Sequence, residues 1–170
     1  HAAMTSDVRS PPTSNAPAIS VRDLGYRYAD APSFALQGIE FDVLPAEIFG
    51  LLGPNGAGKS TLLGIMSGSL ECQSGEVTIA GERLTKRARN IKRLSAVVPQ
   101  EYAFYESLSG RQNLAYFGSV FGLSRVQLEV RRAKPVEICQ LETHLDRTAG
   151  KYSGGLKRRL NLAIGLLNQP

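Results

Sequence analysis

The sequence predicts an α/β fold with a sheet-rich first part and a helical second part. Three observations indicate this. A glycine-rich loop lies between a short apolar run and a helical pattern, strand patterns dominate up to residue 100, and helical spacing of apolar residues dominates after it. The 170 residues, of which 42% are hydrophobic and 21% charged, suffice for a globular domain with a core.

Composition argues against several classes of protein. Scattered, solvated lysines and arginines account for the net charge of +5 better than a phosphate or membrane partner does, and nucleic acid is not indicated. Cys72 and Cys139 form no Cys-x-x-Cys pair, which predicts neither a disulfide framework nor a zinc site and fits a reducing compartment. Because no apolar run approaches about 20 residues, we expect any link to a membrane to go through a partner.

Five predicted strands and one helix make up the first part. Two alternating runs pair across a turn, a nearly all-apolar run is typical of a buried parallel strand, and two further runs end at Gly81 and Pro99. The predicted strands are 19–28, 35–44, 47–53, 75–81 and 93–100, and the predicted helix is 59–67.

The second part is predicted to be helical, and Pro135 within it should kink or divide a helix. The apolar residues at helical spacing are Leu114, Phe117, Phe121, Val126, Val130, Ile138, Leu141 and Leu145. The predicted divisions are 1–18 as a tag and disordered tail, 19–100 as a core with an antiparallel β subdomain, 101–150 as a helical subdomain, and 151–170 as a last motif and helix.

A phosphate-binding loop is the most specific motif of the first part. It has the pattern G-x-x-x-x-G-K-[ST], directly after the apolar run and directly before the helix, and a chance match in that context is improbable. The loop consists of Gly53, Pro54, Asn55, Gly56, Ala57, Gly58, Lys59 and Ser60.

Each part of this loop suits a nucleoside triphosphate with Mg²⁺. The glycines let successive N–H groups point into one concavity, and the helix N-terminus adds partial positive charge there. Lys59 can reach the β- and γ-phosphates, the Ser60 hydroxyl can bind Mg²⁺, and Thr61 can donate to the α-phosphate. The motif leaves open whether the nucleotide is ATP or GTP and which process consumes it.

A second helix start that suits an anion lies in the segment YSGGLKRRLNLAIGLL. Ser153 is a good N-cap, and Gly154 and Gly155 leave backbone amides bare. An ordinary capped surface helix fits this motif about as well. If it is functional, a second copy of the protein solves the geometry, because its loop can cap the triphosphate held by the first.

With both motifs in this order, the chain resembles the ATP-binding cassette (ABC) ATPases from about Val21 to Pro170. LLGPNGAGKSTLL is similar to their Walker A loop, and YSGGLKRRL to their signature, usually Leu-Ser-Gly-Gly-Gln. Tyr152 and Leu156 depart from that pattern in a way similar to drug-resistance and nodulation-type exporters. The resemblance implies a P-loop nucleotide-triphosphatase core with an antiparallel β subdomain and an α-helical subdomain.

The resemblance also assigns roles to residues outside the two loops. It places Tyr28 on the adenine, with Tyr26 as a competing candidate, and Gln100 in the Q-loop as the catalytic residue that senses Mg²⁺ and the attacking water. Gln112 stands where the family usually has Glu, so a charge-based partner contact there is in doubt.

The catalytic carboxylates of the Walker B strand are not found in the sequence. Asp42 lies in an alternating strand before the phosphate loop and Asp146 follows a helical segment, so neither fits. In the family that strand comes directly after a segment like LNLAIGLLNQP. We therefore expect the chain to lack the C-terminal part of the core, including the switch histidine, and to hydrolyse ATP poorly by itself.

The resemblance implies the ATP-binding subunit of an ABC transporter. It would bind ATP and Mg²⁺, form an ATP-dependent homodimer, and drive a separate transmembrane permease from the cytoplasmic face of the cell membrane. One alternative is a non-transport ABC ATPase, for example a translation-associated one. Repair and chromosome types fit poorly, because no long coiled coil separates Lys59 from Ser153. Another alternative is a binding module without enzymatic activity.

Overall fold

A computed structural model describes residues 16–85 and 94–170. The chain forms two compact units, His1–Ala88 and Arg89–Pro170. Most of the predicted tail at 1–18 and the first residue of the predicted strand 93–100 lie outside the described residues. The four divisions predicted from the sequence stay predictions.

The first unit contains a four-stranded antiparallel sheet with the order β2-β1-β3-β4. Ile19 of β1 pairs with Val43 of β2 on one side and with Ile79 of β3 on the other, so β1 is central. The pairing of the first two predicted strands is thereby confirmed. The strands are β1 Ile19–Tyr26, β2 Leu36–Val43, β3 Ser74–Ile79 and β4 Glu82–Arg83.

An irregularity in β1 explains one glycine of β3. The register of β1 shifts between Arg22 and Gly25, and Asp23 has a φ of 45°. Gly75 approaches this point with a φ of 80°, and a Cβ there would lie 2.3 Å from the carbonyl oxygen of Asp23. Only glycine allows so close a backbone approach, which is its usual role in strands.

Helix α1, Lys59–Met66, directly follows the phosphate loop as predicted. The apolar run before the loop, 47–53, is not a strand, and the side chains of Ile48 and Leu52 are 99% and 94% exposed. Residues 95–99 are not a strand either. Both strand predictions are wrong for one physical reason: a strand needs neighbours for its backbone groups, and no described strand pairs with either segment.

The second unit is helical around a single apolar core. Its helices are α2 Gly110–Val120, α3 Arg125–Ile138 and α4 Gly154–Leu166, with short 3₁₀ turns at Glu142–His144 and Ala149–Lys151. Helix α3 runs through Pro135 without division. None of the described helices is long and apolar enough to cross a membrane.

The predicted apolar face of the second unit is partly correct. Leu114, Leu141 and Leu145 are buried, but Phe121, Val126, Val130 and Ile138 are exposed. Helix α3 instead buries Leu128, Pro135 and Val136. The face of Leu156, Leu160, Ile164 and Leu167 on the last helix is buried throughout. That face therefore fixes α4 in the core, while Gly154 and Gly155 at its start stay exposed.

Candidate nucleotide-binding site

The phosphate loop turns into α1 at a glycine that no other residue can replace without strain. Gly58 is the N-cap of α1 with a φ of 83°, in the left-handed region. A Cβ at this position would lie 2.4 Å from the carbonyl oxygen of Ala35. Gly56 also has a positive φ, but a Cβ there would meet nothing within 4 Å. The loop is thus open to solvent at Gly56 and packed tightly at Gly58.

Lys59 closes the loop from the first turn of α1. Its Nζ donates to the carbonyl oxygens of Gly53 and Pro54, each at 2.6 Å. An ammonium group has three N–H donors, and these two bonds use two of them. The remaining N–H can be donated to an anion lying in the loop, which is the position that the β- and γ-phosphates were predicted to take.

The N-terminus of α1 suits an anion for a second reason. No side chain among the described residues caps this helix. Its first N–H groups are therefore free to donate to a ligand or to water. Ser60 is exposed at this end of the helix. Its hydroxyl is therefore accessible to Mg²⁺, and the residues present fit a magnesium–triphosphate.

Tyr28 and Tyr26, the two candidates for the adenine contact, lie in different surroundings. The Tyr26 side chain is buried, whereas Tyr28 is 45% exposed and its Oη lies 3.1 Å from Thr61 Oγ1. The two rings meet edge to face at 5.0 Å. Tyr28 thus presents an accessible ring beside the first turn of α1, and Tyr26 belongs to the core. The geometry favours Tyr28, and its stacking on adenine stays a prediction.

The second loop is exposed and capped by its serine. Ser153 is the N-cap of α4, and its Oγ accepts from the Leu156 N–H at 3.3 Å. Ser153, Gly154 and Gly155 are all exposed. A Cβ at Gly155 would meet nothing within 4 Å, so the packing of this chain does not require a glycine there. A contact from a nucleotide held by a second copy at this position stays a prediction.

The two departures from the usual signature are core residues. Tyr152 is buried, and its Oη donates to the His144 carbonyl at 2.5 Å. A Cβ at Gly110 would lie 2.4 Å from the Tyr152 Oη. Burial raises the pKa of the Tyr152 phenol, so the hydroxyl stays protonated and can donate. Leu156 packs into the apolar cluster of the second unit. The exposed Ser-Gly-Gly turn is therefore anchored to the core by a buried side chain on each side of it in sequence.

Gln100 lies in an irregular segment whose main chain is bonded to α4. Arg158 Nη1 donates to the Gln100 carbonyl, and the Asn161 side chain bonds the main chain on both sides of it. Sequence analysis misses Asn161. Its signal is a polar residue on the buried side of the last predicted helix. The role of Gln100 at Mg²⁺ and water stays a prediction.

Gln112 has a structural function in place of the missing charge. Its Oε1 accepts from the Ser109 N–H at 2.8 Å, and its own N–H donates to Ser109 Oγ at 3.2 Å, which is a capping box. Ser124 and Gln127 form the same arrangement at α3. Within 16–85 and 94–170, no group of three His, Cys, Asp or Glu side chains is placed to hold a metal ion.

Comparison with known proteins gives a consistent result. The profile of the ABC transporter family matches residues 36–170. The Nod factor export ATP-binding protein I of Burkholderia thailandensis is 38% identical over 152 residues, 89% of this chain and 49% of the relative. The doxorubicin resistance ATP-binding protein DrrA of Mycobacterium tuberculosis is 37% identical over 153 residues, 90% of this chain and 46% of the relative. The chain therefore spans about half the length of these curated relatives.

Solved structures agree on the fold. CbiO1 from Clostridium perfringens, part of the ABC transporter complex cbiONQ, superposes with a TM-score of 0.81 at 26% identity, over 91% of this chain and 62% of that one. The dimeric cassette MJ0796, bound to ADP and Pi, superposes with a TM-score of 0.72 at 22% identity, over 89% of this chain and 70% of its own. The predicted α/β fold with an antiparallel β subdomain and a helical subdomain is confirmed.

Proposed function

Because this chain belongs to the ABC transporter family, we propose that it binds MgATP and forms the ATP-binding part of a subunit that drives a separate membrane permease. The observation that carries the proposal is the phosphate loop. Lys59 Nζ lies over the loop at the Gly53 and Pro54 carbonyls, and the uncapped N-terminus of α1 opens beside it. This arrangement binds the triphosphate through charge and backbone N–H groups together.

The proposal assigns a different contact with MgATP to each of the candidate binding residues of the first unit. The backbone amides of 53–61 and Lys59 bind the phosphates, Ser60 Oγ binds Mg²⁺, and Tyr28 stacks on the adenine. Mg²⁺, when bound, neutralises negative charge on the β- and γ-phosphates. Thr61 Oγ1 bonds to Tyr28 Oη, so the same short segment positions both the base contact and the phosphate contacts.

The second nucleotide contact is proposed to come from another copy of the chain. Ser153, Gly154 and Gly155 are exposed, and the Gly155 position is open to an incoming group. A head-to-tail dimer brings this turn of one copy against the triphosphate held by Lys59 of the other. Gln100 then orients the attacking water and contacts Mg²⁺. ATP holds the dimer closed, and its hydrolysis reopens it.

The acid that hydrolysis requires is not supplied by the two aspartates considered from the sequence. Asp42 forms an ion pair with Arg22 at 2.6 Å, and Asp146 forms one with Arg111 at 2.7 Å. The hydrogen bond from the arginine lowers the pKa of each carboxyl group. Both aspartates are thus paired surface groups, and we expect these 170 residues by themselves to turn ATP over poorly.

The names of the relatives support an exporter-type system. Nod factor export and doxorubicin resistance are the processes for which these ATP-binding proteins are named. We therefore propose an exporter-type system, with the chain bound to its permease at the inner face of the cell membrane. The helical region 101–150 is the proposed docking surface, with Gln100 as its hinge.

ATP turnover in a reconstituted complex tests this proposal. The complete protein, isolated from its native membrane, should co-purify with a membrane protein, and the complex should hydrolyse ATP in proteoliposomes. A Lys59→Ala variant should keep the complex but lose turnover. A complete protein that binds ATP yet associates with ribosomes rather than with a membrane protein would contradict the transport function.

A further inference from the structure

We propose that Asn161 is a positioning residue for the ATPase reaction, which holds the main chain around Gln100 on the helix that begins at Ser153. The inference deepens the proposed function and rests on it. It adds a physical link between two segments of the second unit: the Gln100 segment, predicted to sense Mg²⁺ and the attacking water, and the Ser153 turn, predicted to contact nucleotide.

Asn161 contacts the main chain on both sides of Gln100. Its side chain is buried, at 3% exposed. Its Oδ1 accepts from the Ala103 N–H at 3.1 Å, and its Nδ2 donates to the carbonyl oxygens of Pro99 at 3.0 Å and of Glu101 at 3.4 Å. One side-chain amide thus fixes the main chain at Pro99, Glu101 and Ala103, and Gln100 lies between the first two of these residues.

These bonds are needed because the segment has no regular structure. Residues 95–105 contain neither helix nor strand, and Pro99, Glu101 and Ala103 are exposed, so no ladder or helical hydrogen bonds fix this main chain. Asn161 lies on the same buried side of α4 as Leu160 and Ile164. An apolar residue there would fill the space but would leave the Ala103 N–H and the Pro99 carbonyl without these partners.

Further contacts extend the link to the Ser-Gly-Gly turn itself. Arg158 donates to the Gln100 carbonyl, and its guanidinium lies 5.2 Å from the centre of the Tyr102 ring. Tyr102 Oη donates to the Gly154 carbonyl at 3.4 Å. The Gln100 segment is therefore bonded to α4 at Gly154, Arg158 and Asn161.

The link determines where Gln100 lies during the reaction. A nucleotide that binds the Ser153 turn also moves Gln100, because the two segments are joined by hydrogen bonds through α4. Without Asn161, the Lys59 pocket still binds ATP, but Gln100 no longer follows the turn. Since small misplacements of a reacting group cost large factors in rate, loss of the link should lower kcat and leave KM for ATP nearly unchanged.

Asn113 offers a matched control. It is fully buried in the same unit, its Oδ1 accepts from the Tyr105 N–H at 2.8 Å, and its Nδ2 donates to the carbonyls of Tyr105 and Ser109. Its bonds begin beyond residue 103. Asn161→Ala and Asn113→Ala therefore each remove one buried amide that bonds backbone, but only the first removes bonds to Pro99, Glu101 and Ala103, next to Gln100.

The experiment compares hydrogen exchange and ATP turnover of the two variants in the complete protein with its permease. Asn161→Ala should speed exchange of the Ala103 amide and lower kcat about tenfold or more, with KM within twofold of wild type. Asn113→Ala should speed exchange of the Tyr105 amide and leave kcat per folded molecule unchanged. Equal kcat in the two variants, or a change in KM alone, would overturn the role of Asn161.

Arg158→Ala keeps the proposal testable if Asn161→Ala does not fold. Arg158 is exposed, so its removal should not unfold the protein, and kcat should fall several-fold at constant KM. Wild-type turnover in this variant contradicts the link. A wild-type protein that does not bind ATP would refute the proposed function, whereas normal ATP binding with unaltered kcat in all three variants refutes only this inference.

Discussion

Tyr28 Oη and Thr61 Oγ1 lie 3.1 Å apart, so one hydrogen bond joins the segment after β1 to the first turn of α1. The bond orients an otherwise exposed ring beside the phosphate loop. Tyr26, the other candidate for the adenine contact, differs from Tyr28 in that its ring is buried. The turn that presents Lys59 and Ser60 therefore also positions the ring that is predicted to contact the base.

Removal of the Tyr28 ring should weaken ATP binding. Stacking of a base on an aromatic side chain contributes about 1–3 kcal/mol, so Tyr28→Ala should raise the Kd for MgATP about tenfold or more in calorimetric titration. Tyr28→Phe is the control, because it keeps the ring and loses only the bond to Thr61. Its Kd should stay within a few-fold of wild type, and unchanged binding by Tyr28→Ala would refute the adenine contact.

A methyl group at Gly155 should block the second nucleotide contact without harm to the fold. A Cβ there meets no neighbour within 4 Å, and alanine favours helix over glycine by about 1 kcal/mol. We expect Gly155→Ala to keep or raise Tm, to bind ATP normally, and to lose ATP-driven dimerisation in sedimentation. ATP-dependent dimers of this variant at wild-type affinity would argue against the shared site.

Gly58→Ala provides the opposite case. The left-handed φ of 83° alone costs a residue with a Cβ about 1–2 kcal/mol, and the added atom would lie 2.4 Å from the Ala35 carbonyl oxygen. This variant should unfold at a lower temperature even without nucleotide. The pair thus separates a glycine required by packing from one required by approach of a ligand.

Several of these features are readable from sequence because their physical causes are local. Alternation gives β1 and β2, the spacing from Leu156 to Leu167 gives α4, and the phosphate loop follows from its glycines and lysine.

Other features depend on residues that are distant in sequence. The apolar run 47–53 has the composition of a strand, but whether it forms one depends on pairing partners that lie elsewhere in the sequence. Val126 and Val130 fit helical spacing, but only the packing of α3 decides which face is buried. Sequence spacing likewise does not reveal that Asn161 bonds the segment of Gln100.

The ion pair between Arg111 and Asp146 predicts a specific pH dependence. The Arg111 guanidinium bonds both carboxylate oxygens, at 2.7 and 3.0 Å, and this hydrogen bonding lowers the pKa of Asp146. The stabilisation is therefore fully present above the pKa of the unfolded state, about 3.9, and is lost as pH falls through the lower pKa of the folded state.

Arg111→Gln should raise the pKa of Asp146 towards its ordinary value and remove this part of the acid sensitivity. A carbon-detected NMR titration of the Asp146 carboxyl group measures the shift directly. Arg22→Gln is the control, because it acts on Asp42 in the other unit and should leave the Asp146 titration unchanged. An Asp146 pKa that is the same with and without Arg111 would contradict the assigned cause.

Calorimetric titration of MgATP into the wild-type chain and into Lys59→Ala tests the central claim most directly. The account predicts saturable binding at one site by the wild type and binding at least tenfold weaker by the variant, with both proteins equally folded by circular dichroism. Absence of binding by the wild type, or equal affinity in the two proteins, would contradict a triphosphate pocket built around Lys59.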